Sequence, residues 1–300
     1  MKLAKVLHNP GAGDEEHSKK ELISMIEANG FQCKYSSTRD KGWKEIEPKT
    51  DFLIAAGGDG TVRKVVKKLL DRKVLDCTWP IALLPLGTAN NVATTLGITG
   101  STEEIIQSWH SARVKKYDVG RIHHEDEAEP MFFLEGVGYG IFPYLMQEMK
   151  KQDKDSIEDP ELKKQSALDL LHQIVLSYEP RQCELEVDGI NLSGKLLLVE
   201  ILNTRSIGPN LLLAPNADPG DGELEVVLVP QEHKDRFASY VLDKIRGAED
   251  IYEFQTFKGK NIRMSWEGTH FHVDDKVHKL RKKAKVRIEL KAGLLEFFVP

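Results

Sequence analysis

The sequence predicts an α/β amino-terminal domain with a doubly wound, mostly parallel sheet, followed by a mainly antiparallel β-sandwich domain with a helical insertion. Three observations support this fold class. Residues 2–118 alternate strand and helix patterns, strands follow strands beyond about residue 118, and amphipathic helical stretches interrupt the second half. At 300 residues the chain is long enough for two domains that each bury a core.

Three junctions between a strand and a helix in the first hundred residues carry glycine, threonine and asparagine. Residues 9–13 follow the apolar run 3–7, residues 57–61 (GGDGT) follow the run 52–56, and residues 85–91 (PLGTANN) follow the run 81–84. Glycine lets the backbone approach a ligand closely, and a helix start offers N–H groups to an anion. A lone loop of this kind is usually only a tight turn, but three at the same edge of a parallel sheet predict a phosphate site.

The remaining elements of the first domain follow from periodicity. A helix is predicted to end at Gly30, a second strand covers residues 33–38, and a further helix covers residues 102–109. The helix after Thr61 has apolar residues at i, i+3, i+4, i+7 and i+8, which are Val62, Val65, Val66, Leu69 and Leu70.

The second half is predicted to be rich in strands. Asp188-Gly189 is typical of a hairpin turn, a helical insertion covers about residues 141–178, and another helix covers residues 237–245. The predicted domains are residues 1–118 and 119–290, and this division allows the segment of about residues 291–300 to return to the first domain. The strands are expected at residues 131–134, 183–187, 195–202, 224–229, 262–264, 286–290 and 294–299.

Composition excludes several classes of protein. The net charge of −5 gives no general basic excess for nucleic acid, and no apolar run approaches the 18 residues of a transmembrane span. The amino terminus has no apolar signal region, and the three cysteines lie far apart, so we expect a cytoplasmic protein with reduced thiols.

A second candidate site lies at residues 216–224, where acids and glycines precede a strand. Carboxylate and carbonyl oxygens in a loop suit a hard cation such as Mg²⁺, although a polar turn is the commoner explanation for one such loop. The histidine pairs 123/124 and 270/272 lack the further ligands of a zinc site and are expected to be surface or packing residues.

Taken together, the motifs resemble those of the diacylglycerol kinase catalytic family, which includes bacterial soluble lipid kinases and sphingosine kinases. The similar segments are residues 9–13, the GGDGT loop, residues 84–90, residues 118–120 and residues 221–224. NAD kinases share GGDGT, but the Thr-Gly-Ser-Thr-Ala-Tyr type of segment expected in them is not present. The resemblance implies an NAD-kinase-like and diacylglycerol-kinase-like fold with ATP in a cleft between two domains.

The resemblance also implies residue roles. Asp59 would be a catalytic carboxylate that organises Mg²⁺ or the acceptor hydroxyl, and Asp218, Asp221 and Glu223 would hold Mg²⁺, partly through backbone carbonyls. The nucleotide and its phosphates would be bound by Asn9, Gly13, Thr38, Gly57, Gly58, Gly60, Thr61, Gly87, Thr88 and Asn91.

Three positions depart from the family pattern. Asn91 stands where many members have Asp, Lys64 where they often have Glu, and Lys276 where bacterial members often have a Glu proposed as general base. A lysine side chain is positively charged at pH 7 and does not accept a hydroxyl proton. Either the neighbouring Asp275 is the catalytic carboxylate in its place, or Asp59 does this work, or phosphoryl transfer is weak or absent. These residues motivate an alternative function, a catalytically degenerate nucleotide-binding or lipid-binding regulatory protein.

The leading interpretation is a lipid kinase that uses ATP and Mg²⁺ and acts on a diacylglycerol-type acceptor. It would meet its lipid substrate at a membrane surface, with a cytoplasmic location that includes peripheral contact with the inner face of the membrane. A kinase for a small soluble alcohol is a further alternative, and a homodimer is among the oligomeric states left open. The amphipathic stripe in the insertion is expected by default to pack in the core. As a hypothesis, the stretch 168–178 is the candidate surface for acyl chains, which fails if Leu171, Ile174 and Tyr178 are fully packed in the core.

Overall fold

The computed structural model describes residues 1–12, 18–71, 79–125, 129–151, 159–248 and 252–300. The chain divides into two compact units. The first consists of Met1–Tyr117 with Gly293–Pro300, and the second of Asp118–Ala292. Among the described helices, none has the length and the apolar character that crossing a membrane requires.

The first unit contains a parallel sheet with helices between its strands. Its strands are β1 (Leu3–His8), β2 (Gln32–Ser37), β3 (Phe52–Gly57) and β4 (Ile81–Pro85), and its helices are α1 (Lys19–Ala28), α2 (Asp59–Leu70), α3 (Asn91–Thr95) and α4 (Thr102–Ser108). β1 pairs in parallel with β2 and β3, and β3 pairs in parallel with β4. Phe297, near the end of the chain, pairs in parallel with Ile81 of β4.

The sequence explains the central elements of this unit. All six residues of β3 are buried, which is typical of a parallel strand that is covered on both faces. α2 buries Val62, Val65 and Val66 together with Leu69, the stripe that the periodicity predicts. α4 begins with a capping box between Ser101 and Glu104.

The second unit is mainly antiparallel. Its strands are β5 (Arg113–His124, which begins in the first unit), β6 (Met131–Phe133), β7 (Gly136–Gly140), β8 (Arg181–Val187), β9 (Ile190–Asn191), β10 (Gly194–Leu202), β11 (Ser206–Ile207), β12 (Leu211–Leu212), β13 (Leu224–Pro230), β14 (Gln255–Gly259), β15 (Asn261–Trp266), β16 (His270–Val273), β17 (Lys276–Lys279) and β18 (Lys285–Val299, which ends in the first unit). Its helices are α5 (Ile141–Lys151), α6 (Pro160–Ser177) and α7 (Lys234–Ile245), with a short 3-10 helix at Gln231–His233 before α7.

Pairing between these strands forms the sandwich. β10 pairs with β7, β8 and β13, and β13 pairs with β14. β15 pairs with β8 and β18, and β16 pairs with β7 and β17. The strands predicted separately at 286–290 and 294–299 are one continuous strand, β18, in which Gly293 has a positive φ of 61°.

Helices α5, α6 and α7 pack on one face of β10 and β13 and form with it one of the apolar clusters of this unit. Another cluster lies between the strands of the sandwich. Leu171 is fully buried in this cluster, Ile174 is 4% exposed, and Tyr178 packs against it. The hypothesis that this stripe contacts acyl chains is therefore wrong for Leu171 and Ile174, because both side chains are buried and cannot reach a ligand. Their burial instead stabilises the fold.

Candidate functional site

Two of the glycine loops in the first unit lie back to back. β3 ends at Gly57, where φ is 151°, and α2 begins after Gly58. A Cβ atom on Gly58 would lie 3.1 Å from the Cα atom of Gly87, and one on Gly87 would overlap the Cα atom of Gly58. The two backbones can come this close only because neither residue has a side chain.

Asn90 organises the second of these loops. It adopts a left-handed conformation with φ 51° and ψ 40°, which asparagine tolerates better than most residues. Its Oδ1 atom accepts a hydrogen bond from the N–H of Gly87 at 3.0 Å, and its Nδ2 atom donates to the carbonyl oxygens of Pro85 and Gly87. Asn91 was predicted to bind the nucleotide, and its side chain is buried. The side chain that holds the loop backbone is that of its neighbour, Asn90.

Asp59 joins the two loops. It is the first residue of α2, yet its Oδ2 atom accepts from the N–H of Asn91 at 2.9 Å and its Oδ1 atom from the N–H of Val92 at 3.0 Å. Its carboxylate therefore caps the start of α3, where a negative charge and two acceptors are favourable. The sequence did not reveal this contact, because it depends on two segments that only the sheet brings together.

Other predicted residues of the GGDGT loop support its backbone. The Thr61 side chain is buried beneath Gly57, and the N–H of Thr61 donates to the carbonyl oxygen of Gly58 at 2.8 Å. Among the described residues, no side chain caps the start of α2 at Gly58. The start of α2, with Gly60 in its first turn, thus keeps the character of an anion-binding helix terminus.

The first loop and the end of β2 adjoin the same edge. The N–H of Asn9 donates to the carbonyl oxygen of Ala56 at 2.9 Å, and the N–H of Thr38 donates to that of His8 at 2.7 Å. The Thr38 hydroxyl is buried and has no hydrogen-bond partner among the described residues. Thr88 is exposed on its loop, and Gly13 lies outside the described residues.

This edge fits a polar, anionic ligand. A buried hydroxyl without a partner costs about 1–3 kcal/mol, so a ligand that pairs with Thr38 would remove that cost. Gly58 and Gly87 bring the two loop backbones into contact beside the start of α2, whose N–H groups favour phosphate oxygens.

In the second unit, the hairpin between β16 and β17 holds the predicted Asp275. Val273 pairs with Lys276, so Asp274 and Asp275 form a two-residue turn. The Asp274 carboxylate is buried and its Oδ1 atom accepts from three successive N–H groups, those of residues 134–136, at 2.9–3.2 Å. Asp275 and Lys276 are exposed at the tip. Asp274 therefore anchors the turn, and the catalytic role of Asp275 stays a prediction.

The acidic loop before β13 is arranged around a lysine. The Nζ atom of Lys258 donates to Oδ2 of Asp221 at 2.8 Å and lies 3.8 Å from Glu223 and 3.6 Å from Glu225. The hydrogen bond to Asp221 raises the pKa of Lys258, and burial raises the pKa of Glu225. In the part of the chain that the structure describes, no group of three or more His, Cys, Asp or Glu side chains is placed to hold a metal ion. With the Lys258 ammonium beside them, Asp221 and Glu223 do not fit a bound cation, and the role of Asp218 as a ligand stays a prediction.

A buried acid–base pair in the second unit was not predicted. Glu200 of β10 and His272 of β16 are both fully buried, and Oε2 of Glu200 lies 2.7 Å from Nε2 of His272. Burial raises the pKa of Glu200, and His272 opposes this shift only in part. The three glycines of β7, at residues 136, 138 and 140, were the available signal, since such a strand marks a place where other groups approach closely.

Each half of the chain matches the model of a known protein family. Residues 4–122 match the family model of the diacylglycerol kinase catalytic domain, and residues 162–277 match that of the YegS C-terminal NAD kinase beta sandwich-like domain. A diacylglycerol kinase of Bacillus subtilis (strain 168) is 26% identical over 259 residues, which cover 82% of this chain and 80% of that protein.

Solved structures share the fold. The crystal structure of a diacylglycerol kinase from Bacillus anthracis str. Sterne has a TM-score of 0.72 and 22% identity, and the alignment covers 100% of this chain and 97% of that one. Yeast NADH kinase, solved with NADH, has a TM-score of 0.51 and 10% identity over 99% of this chain and 82% of its own. These likenesses confirm the predicted fold class. Residues 4–122, which contain all three glycine loops, therefore belong to the diacylglycerol kinase catalytic domain family, and residues 162–277, which contain most of the sandwich, belong to the YegS C-terminal family.

Proposed function

We propose that this chain is a lipid kinase that transfers the γ-phosphoryl group of ATP, supplied with Mg²⁺ on its phosphates, to the hydroxyl of a diacylglycerol-type lipid. The observation that carries the proposal is the contact between the Gly58 and Gly87 backbones, which Asp59 locks by capping α3. Family membership supports phosphoryl transfer, and the names of the relatives support a lipid acceptor.

The first unit would bind the donor. The phosphates would lie at the start of α2, whose N–H groups and positive dipole end favour anions. The Thr38 hydroxyl would donate a hydrogen bond to the nucleotide, and the backbone at Gly87 would lie beside its phosphates. Each of these groups is held by the sheet, so the donor would be oriented at little entropic cost.

Asp59 would serve as both a positioning and an acceptor group. Its two oxygens accept the N–H groups of Asn91 and Val92, and a carboxylate is a suitable acceptor for a water or a substrate hydroxyl. Phosphoryl transfer depends mainly on alignment and charge stabilisation, so a carboxylate fixed between the two loops suits this reaction. Asp275, exposed on its hairpin, would accept the proton of the lipid hydroxyl.

A radiolabelled-ATP assay against a panel of lipids in vesicles tests the proposal. We expect label in a diacylglycerol-type lipid, and loss of that label in Asp59→Ala and Gly87→Ala. Ser101→Ala is the matched control, because it removes the cap of α4 in the same unit but leaves both glycine loops intact. Label in a soluble alcohol alone would overturn the lipid assignment. Peripheral contact with the inner membrane face is part of the same proposal and predicts faster transfer on vesicles than on monomeric lipid.

A second candidate is a nucleotide-binding protein that has lost transfer. The observation that favours it is the exposed Lys276 at the hairpin tip, where the family often has a glutamate. Tight ATP binding, sensitive to Gly87→Ala, with no transfer to any acceptor would support this reading and overturn the kinase proposal.

A further inference from the structure

The acidic loop 218–225 uses its own backbone to hold its carboxylates. The Oδ1 atom of Asp218 accepts from the N–H of Gly220 at 3.0 Å, and the Oδ1 atom of Asp221 accepts from the N–H of Glu223 at 2.9 Å. From outside the loop, Oδ2 of the buried Asp118 accepts from the N–H of Gly222 at 2.8 Å. The loop is therefore preorganised, and the second oxygen of Asp221 faces Lys258.

Strand pairing fixes the position of the lysine. Lys258 of β14 lies directly opposite Glu225 of β13, and Glu223 lies two residues before Glu225, on the same side of the chain. As a result three carboxylates, those of Asp221, Glu223 and Glu225, lie within 4 Å of one ammonium group. The ammonium donates a hydrogen bond to Asp221 and forms longer ion pairs with Glu223 and Glu225.

The same geometry opposes a divalent cation. Mg²⁺ and Ca²⁺ bind carboxylate oxygens at about 2.0–2.6 Å. A cation bound to Oδ2 of Asp221 would therefore compete with the Lys258 ammonium, which lies 2.8 Å from that atom. Two positive centres in one such site repel each other strongly. Glu225 is only 9% exposed, so its charge needs a partner that remains in place.

We propose that Lys258 is the built-in cation of the loop 218–225 and replaces a bound divalent metal there, so that this part of the protein folds and holds its shape without metal. This inference concerns the loop alone. It goes beyond the proposed kinase function and does not depend on phosphoryl transfer or on Mg²⁺ carried by ATP.

The test uses the full chain without nucleotide. Mn²⁺ binding is followed by the loss of the free Mn²⁺ signal in electron paramagnetic resonance, and melting temperatures are compared in EDTA and in Mg²⁺. For the wild type we expect no saturable Mn²⁺ site that depends on Asp221 and equal melting temperatures in both buffers. For Lys258→Met we expect a lower melting temperature in EDTA, a rise of about 5 °C at Mg²⁺ well above its Kd, and one saturable Mn²⁺ site.

Three further variants sharpen the result. Lys258→Met/Asp221→Asn should lose the new Mn²⁺ site, Lys258→Arg should behave like the wild type, and Lys195→Met controls for loss of an exposed lysine on β10. A wild-type Mn²⁺ site that Asp221→Asn abolishes would overturn the proposal. It would also fail if Lys258→Met were indifferent to metal, or if Lys258→Met stayed unfolded in Mg²⁺ while Lys258→Arg folded. None of these outcomes bears on lipid phosphorylation.

Discussion

Glu200 and His272 meet across Gly138, which has no side chain to separate them. Gly138 of β7 pairs with Glu200 of β10 on one side and with His272 of β16 on the other, so the three residues form one row across three antiparallel strands. The Oε2 and Nε2 atoms are 2.7 Å apart, and Nδ1 of His272 lies 3.1 Å from the carbonyl oxygen of Asp274. Since a carbonyl oxygen only accepts, Nδ1 carries a proton, and the buried pair holds the backbone of the turn that presents Asp275.

Gly138→Ala should therefore destabilise the second unit. A Cβ atom at this position would overlap the Glu200 carboxyl group, and overpacking of a buried site costs about 1–3 kcal/mol. Chemical denaturation measures the change in the free energy of unfolding. Gly194→Ala is the control, because its Cβ atom would meet nothing closer than 3.9 Å. Equal stability of the two variants would contradict the role given to Gly138.

The raised pKa of Glu200 predicts a pH dependence with a definite sign. Burial raises its pKa above the ordinary 4.5, so the folded protein retains a proton that the unfolded chain releases. Stability from this group is fully present below pH 4.5 and is lost as pH rises through the folded pKa. The difference in the free energy of unfolding between wild type and Glu200→Gln should fall with rising pH in that window, by up to about 1.4 kcal/mol per pH unit.

Unfolding curves of both proteins, measured from about pH 4 to pH 8, test this pH dependence of the stability difference. The control is Glu232→Gln, which changes an exposed glutamate of the same unit and should give a profile parallel to that of the wild type. Parallel profiles for Glu200→Gln and wild type would show that Glu200 ionises in the folded protein as it does in the unfolded chain.

Local sequence patterns were sufficient for some elements of the structure. The apolar run of β3, the stripe of α2 and the glycine loops are properties of short segments, and each appears where the pattern predicts it. The hairpin at Asp188-Gly189 also follows from its two residues, both of which have positive φ.

Contacts between distant segments could not be read in this way. Asp59 contacts Asn91, and Lys258 contacts Asp221, only because strand pairing brings them together. Glu200 and His272 were hidden for the same reason, since no spacing in the sequence links β10 to β16. The predictions for Asp59 and the magnesium ligands rested on residue types and motif resemblance, which give positions but not the partners that occupy a side chain.

Thr38→Val tests whether the buried hydroxyl serves a ligand. Without ligand the hydroxyl has no partner among the described residues, so its removal should leave the free energy of unfolding unchanged or slightly higher. ATP binding should weaken by up to about tenfold, the value of roughly one hydrogen bond. Isothermal titration calorimetry measures the Kd, with the exposed Thr94→Val as control. An unchanged Kd would remove Thr38 from the proposed nucleotide site.

Substitution of the two adjacent aspartates of the β16–β17 turn should have different effects, on stability for Asp274 and on lipid phosphorylation for Asp275. Asp274→Ala removes the acceptor of three backbone N–H groups and should lower the free energy of unfolding by about 3 kcal/mol. Asp275→Ala removes an exposed side chain, so stability and ATP affinity should be unchanged, while lipid phosphorylation falls about a hundredfold if this carboxylate accepts the hydroxyl proton.

A rescue experiment completes this comparison. In Asp275→Ala/Lys276→Glu a carboxylate returns at the neighbouring position, which should restore part of the lost transfer without changing the Kd for ATP. The measurement is the initial rate of label transfer to lipid at saturating ATP, compared with Lys276→Ala, which removes the positive charge without adding a base. Full activity of Asp275→Ala would show that the turn takes no part in proton transfer. The function of the turn would then be limited to the anchoring contact of Asp274, and Asp59 would be the remaining carboxylate for the reaction.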